Sequence, residues 1–130
     1  MQQDLTMIAA IALGGALGAV LRYLMALRAY ALLGLGLPYG TLTVNLLGAF
    51  LIGVVAALVE ERGAFGPQAR AFITIGILGG MTTFSTFTYE TWGLMRDGET
   101  AGAVANVLVS VAGALVLFTV GHGLVRLLER

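Results

Sequence analysis

The segment Gly79-Gly80-Met81-Thr82-Thr83-Phe84-Ser85-Thr86-Phe87-Thr88-Tyr89-Glu90 carries most of the chemical capacity of this chain. Glycine is a poor helix former, and this pair sits inside a long apolar stretch. A helix interrupted there offers carbonyls from the end of one half and N–H groups from the start of the next. The carbonyls suit a cation and the N–H groups an anion. Lipid satisfies neither, so both must face protein, water or an ion. Transporters and channels use such breaks as ion sites. Phe84 and Phe87 are three residues apart, and Glu90 is three further on. All three share a face if the second half is helical. A phenyl edge carries weak positive potential. Edges turned toward a pathway can stabilise a small anion without holding it, and conduction needs weak sites. The plain alternative is two rings packed in a bundle. The glycine pair and the hydroxyls together favour an ion pathway.

Asn45 lies in a second apolar stretch, Thr41-Leu42-Thr43-Val44-Asn45-Leu46-Leu47. A buried amide needs hydrogen-bond partners. Thr41 and Asn45 are one helical turn apart and share a face. Interhelical hydrogen bonding and ligand binding both account for them. Asn106 and Ser110 share a face in the last stretch, and Ala114 continues it without a polar group. Helix–helix hydrogen bonding is again an alternative, and Asn106 falls near the expected membrane edge. Arg22 is either a vestibule charge that concentrates anions or a snorkelling anchor. His122 has no second His to make a metal site. Tyr39 and Trp92 suit membrane interfaces. Glu60 and Glu61 suit a solvated span end.

These residues need elements to hold them, and composition says which. Of 130 residues, 58% are hydrophobic and 11% charged. Soluble domains carry about 25% charged residues. The solvent for most of this surface is therefore lipid. A span needs roughly 20 apolar residues. Four spans fill the chain as one domain, 1–130, with helices expected at about 5–27, 39–59, 68–95 and 100–128. The third is expected to break mid-membrane near 79–83, and a loop is expected from Ala29 to Pro38. The apolar stretches are continuous rather than alternating, which argues against a β-barrel. Gly14 and Gly18 have the spacing that lets helices approach closely. The start, Met1-Gln2-Gln3-Asp4, lacks the basic region of a signal peptide, so the first segment reads as a retained helix.

Net charge is zero, and all seven basic residues are Arg. No basic patch forms, which excludes nucleic acid as an expected partner. Without Cys there is no disulfide or thiolate metal site. No nucleophile–base pair or phosphate-cradling loop is present, so no enzyme is expected. Four spans put Arg62, Arg70, Arg126 and Arg130 on one side, and Arg28 and Arg96 on the other, with Arg22 if it snorkels. That positive-inside bias is weak. It permits insertion in both orientations and hence an antiparallel homodimer; one-way insertion is the alternative.

Three motifs together resemble the Fluc (CrcB) family of fluoride channels: Gly14-Gly15-Ala16-Leu17-Gly18-Ala19-Val20-Leu21-Arg22-Tyr23, Gly40-Thr41-Leu42-Thr43-Val44-Asn45-Leu46-Leu47-Gly48, and Gly79 to Glu90. The resemblance covers almost the whole chain in the same order. It implies a passive fluoride-selective channel of the cell (inner) membrane that exports fluoride and relieves its toxicity. It implies four helices in an antiparallel dual-topology homodimer with two pores. It implies a structural sodium ion (Na+) at the dimer centre, held by backbone carbonyls at positions matching Gly79 and Thr82. Phe84 and Phe87 would line the pores, Asn45 would be the pore asparagine, and Thr41, Glu90, Asn106 and Ser110 would form a polar track. Arg22 would be the vestibule charge. The chain departs from the family at Asn106, where many relatives carry Tyr, and at Ala114, where some carry Ser. The competing class is a small dual-topology exporter coupled to a cation or proton. That class needs a carboxylate within the first span, and here Asp4 lies at its edge.

Overall fold

The computed structural model describes residues 2–128. Met1 and Arg130, used above for the N-terminus and the charge bias, lie outside them. All regular secondary structure among the described residues is helical. The elements are α1 (Gln2–Leu33), α2 (Tyr39–Arg62), α3 (Pro67–Ala71), a π-helical stretch (Phe72–Leu78), α4 (Gly79–Met81), α5 (Phe84–Arg96) and α6 (Thr100–Leu128). They make four stretches long and apolar enough to cross a membrane: Gln2–Leu33, Tyr39–Arg62, Pro67–Arg96 and Thr100–Leu128. Large apolar side chains such as Leu13, Leu17, Leu108 and Leu115 are exposed along α1 and α6. In water that surface would be costly, and in lipid it is the expected one.

Two helices run on at their C-terminal ends beyond the sequence reading. α1 continues through Ala29, where a loop was expected, and stops at Leu33. Ala and Leu are strong helix formers, so nothing in Ala29-Tyr30-Ala31-Leu32-Leu33 stops the helix. Gly34 does, with φ of 83°; its N–H closes on the Tyr30 carbonyl at 3.0 Å. α2 likewise runs past Val59 through Glu60, Glu61 and Arg62, ending at left-handed Gly63.

The third span is irregular in two places. The π-helical stretch widens its turns, so the Gly79 N–H reaches back to the Thr74 carbonyl. Further on, the chain leaves helical geometry at Thr82 (φ −80°, ψ 157°) and Thr83 (φ −153°, ψ 123°). The bend therefore falls after the glycine pair. Gly79, Gly80 and Met81 stay helical.

Glycines set how closely the spans approach. Gly14 and Gly18 of α1 face the third span, where Gly76 and Gly80 repeat the same spacing. A Cβ on Gly14 would strike the Phe72 carbonyl and Gly76, and one on Gly18 the Ile77 carbonyl. One on Gly80 would lie 2.7 Å from the Gly15 carbonyl oxygen. Lipid gives no hydrophobic drive between helices, so backbone contact of this kind supplies the attraction. α2 and α6 cross reciprocally: Gly53 lies against the Phe118 carbonyl and Gly121 against the Phe50 carbonyl. At the same end Glu60 Oε2 lies 2.9 Å from His122 Nε2, and Arg126 Nε lies 2.7 Å from Glu61 Oε1.

These crossings generate a stability prediction. Gly53→Val and Gly121→Val should each destabilise the fold by about 1–3 kcal/mol through overpacking. Gly123→Ala, with nothing within 4 Å of the added Cβ, should cost nothing measurable. Thermal unfolding of the purified protein in detergent checks the ranking; equal midpoints for all three variants would contradict the close crossing.

Candidate functional site

The bend exists because a side chain from another span completes its backbone. Thr83 N–H donates to Asn45 Oδ1 at 2.7 Å, and Asn45 Nδ2 donates to the Thr83 carbonyl at 2.9 Å. In a continuing helix that N–H would go to the Gly79 carbonyl. Asn45 replaces the lost helical bond and satisfies the carbonyl as well. Thr83 then caps α5: its Oγ1 accepts the Thr86 N–H at 3.2 Å and donates to Thr86 Oγ1 at 3.0 Å. Thr82 Oγ1 turns back to the Leu78 carbonyl at 2.9 Å. The bend's hydroxyls are thus spent largely on its own backbone.

A groove of about 690 Å³ runs past this bend. Asn45 of α2, Thr82 and Thr83 of the bend, Phe84 and Phe87 of α5 and Ser110 of α6 all border it. Gly79 and Ala114 border it too. The two phenyl rings are 5.4 Å apart and inclined at 43°. Phe87 is buried, whereas Phe84 is 77% exposed. The expected common face of α5 therefore runs from an open edge inward. An asparagine amide carries two N–H donors. One is used on Thr83, which leaves the second for the groove. Asn45 ties two spans together, as the bonding alternative expected, and it also borders the open space. Gly48 keeps that tie short, because a Cβ there would meet the Thr82 methyl.

The other expected site residues lie elsewhere. Thr41 is buried one turn before Asn45. Glu90 is met by Tyr30 of α1, whose hydroxyl donates to Oε1 at 3.1 Å. Asn106 is only 1% exposed. Its Nδ2 donates to Thr91 Oγ1 at 2.8 Å, and Thr91 Oγ1 donates to the Phe87 carbonyl at 2.7 Å. A buried amide on α6 thus finds its partner on α5, as the bonding alternative expected. Arg22 is half-buried on α1 and does not border the groove. Sequence reasoning missed Tyr30 and Thr91. Ending the first span at residue 27 left Tyr30 in a loop. Within the span, a phenol among apolar residues signals a buried polar partner.

The chain is similar to known proteins over most of its length. Residues 9–122 match the family described as CrcB-like protein, Camphor Resistance (CrcB). A protein of Geobacter metallireducens named fluoride-specific ion channel FluC is 52% identical over 114 residues, 88% of this chain and 92% of its own. One of the same name from Shewanella halifaxensis is 48% identical over 88% of this chain and 92% of its own. A third, from Geobacter sulfurreducens, is 52% identical over 86% and 90%.

The Asn45–Thr83 pair carries a testable consequence. Asn45→Ala strands two backbone groups, each worth about 1–3 kcal/mol when left unpaired. Amide hydrogen exchange across residues 82–86 should accelerate in this variant while exchange in α6 stays slow. Unchanged exchange at the bend would show that Asn45 does not hold it.

Proposed function

The chain belongs to the CrcB-like family, and on that footing we propose that it is a passive fluoride-selective channel. It is a multi-pass membrane protein; the channel reading places it in the cell (inner) membrane, where it would release cytoplasmic fluoride. The observation that carries the reading is the groove at the bend. There an amide, a pair of phenyl rings and a serine from three different spans meet.

Fluoride is small and strongly hydrated. A pore for it must replace water with donors and must not bind too tightly. The free N–H of Asn45 and the Ser110 hydroxyl are such donors. Phenyl edges of Phe84 and Phe87 add weak positive potential. Thr41, Glu90 and Asn106 are proposed to continue the polar track beyond the groove. Arg22 is proposed to raise the local anion concentration at a mouth.

The active form is proposed to be an antiparallel homodimer with two pores. Support comes from the open edge of the groove, where Phe84 and Gly79 are exposed. A second copy placed there would enclose the rings. A sodium ion is proposed at the centre of that dimer. The bend fits it chemically. The N–H that would cover the Gly79 carbonyl in a helix is taken by Asn45. The N–H that would cover the Thr82 carbonyl is taken by Thr83 Oγ1. Carbonyls left without their helical donors at a break of this kind can coordinate sodium. The ion would neutralise converging carbonyl dipoles from two chains and take no part in permeation.

Proteoliposomes loaded with fluoride test the proposal, with a fluoride electrode outside and chloride as the control. The wild-type protein should release fluoride rapidly without a proton gradient and retain chloride. Phe84→Ile should reduce release to that of empty liposomes while the dimer stays assembled by size exclusion. Release that requires a proton gradient, or wild-type release by Phe84→Ile, would contradict the reading.

A further inference from the structure

Tyr30 is a residue that neither the sequence motifs nor the family match assigns, yet it holds a charged-type side chain inside the bundle. Its hydroxyl donates to Glu90 Oε1 at 3.1 Å across a separation of 60 residues. Its ring is seated by design of the backbone beneath it. A Cβ at Gly40 would collide with ring atom Cε2, lie 2.9 Å from Cζ and lie 3.0 Å from the Ala26 Cβ. Thr41, the next residue of α2, is buried. Gly40 and Ala26 thus make a slot with one position for the ring. The phenol in turn leaves the carboxyl one position.

The second carboxyl oxygen then becomes informative. Glu90 Oε2 is buried, and no group among the described residues donates to it. A buried acceptor without a donor is costly and calls for an explanation. Glu90 lies one turn beyond Phe87 on α5, so this oxygen sits past the rings and away from the bend. Among the described residues the phenol is then the carboxyl's one hydrogen-bond partner.

We infer that Tyr30 is a positioning residue for permeation: its phenol fixes the orientation of the Glu90 carboxyl on the proposed polar track. This role rests on the channel reading, although the contact itself does not. It goes beyond that reading by naming a first-span residue on which Glu90 depends.

The test compares four proteins: wild type, Tyr30→Phe, Glu90→Gln and the double variant. Tyr30→Phe keeps the ring in its slot and removes only the hydroxyl. Fluoride efflux should slow about five- to tenfold, the weight of roughly one hydrogen bond. The double variant should be no slower than the slower single variant, because Tyr30 acts through Glu90. Infrared difference spectra against Glu90→Gln isolate the Glu90 carboxyl band, which should move in Tyr30→Phe. Wild-type efflux by Tyr30→Phe, or effects that multiply in the double variant, would overturn the positioning role. An unmoved carboxyl band would overturn the contact even if the channel reading stands. Wild-type liposomes that hold their fluoride would overturn the permeation role together with the channel reading, and the band would still decide the contact.

Discussion

A chain that leaves helical geometry inside an apolar bundle must pair the backbone groups it frees, and here the Asn45 amide does so. Lipid offers no donors or acceptors, and each unpaired group there costs several kcal/mol. Asn45 meets both the N–H and the carbonyl of Thr83. A side-chain amide is the one uncharged group with a donor and an acceptor spaced like a peptide unit. The substitution leaves the Gly79 carbonyl without its helical donor and aligns α5 so that Phe84 and Phe87 face the groove. The bend, the ring pair and the candidate cation ligands all follow from this one tie between α2 and the third span.

The tie works because the spans are close enough. Gly48 lets α2 reach Thr82, while Gly14, Gly18, Gly76 and Gly80 press α1 against the other side of the third span. The reciprocal contacts of Gly53 and Gly121 fix α6, and with it Ser110, relative to Asn45. Close backbone approach thus does in lipid what side-chain burial does in a soluble core. The few polar groups can then be placed deliberately. Asn106 and Thr91 bind α5 to α6, and Tyr30 and Glu90 bind α1 to α5.

Much of this was legible in the sequence. Four helical stretches follow from continuous apolar runs, and the third is marked as unusual by Gly79-Gly80 and the hydroxyls after it. The location of the bend was less legible. Glycine is a poor helix former, yet Gly79 and Gly80 stay helical because they are needed for contact, Gly80 lying against Gly15. The departure falls at Thr82 and Thr83, where Asn45 reaches the backbone. That depends on a residue 38 positions away, which no local propensity reports. The partner of Asn106 was hidden for a related reason: position along a span says nothing about which neighbour faces it. Tyr30 was hidden by an end drawn too early, since Ala and Leu carry α1 on until Gly34 stops it.

The central claim is that ions cross passively through the groove beside the Asn45–Thr83 tie, and that fluoride is the ion selected. Reversal potentials in a planar bilayer measure this most directly, with unequal fluoride on the two sides and chloride and pH varied in turn. The account predicts a reversal potential that follows the fluoride gradient alone. A potential that follows the chloride or proton gradient would contradict it.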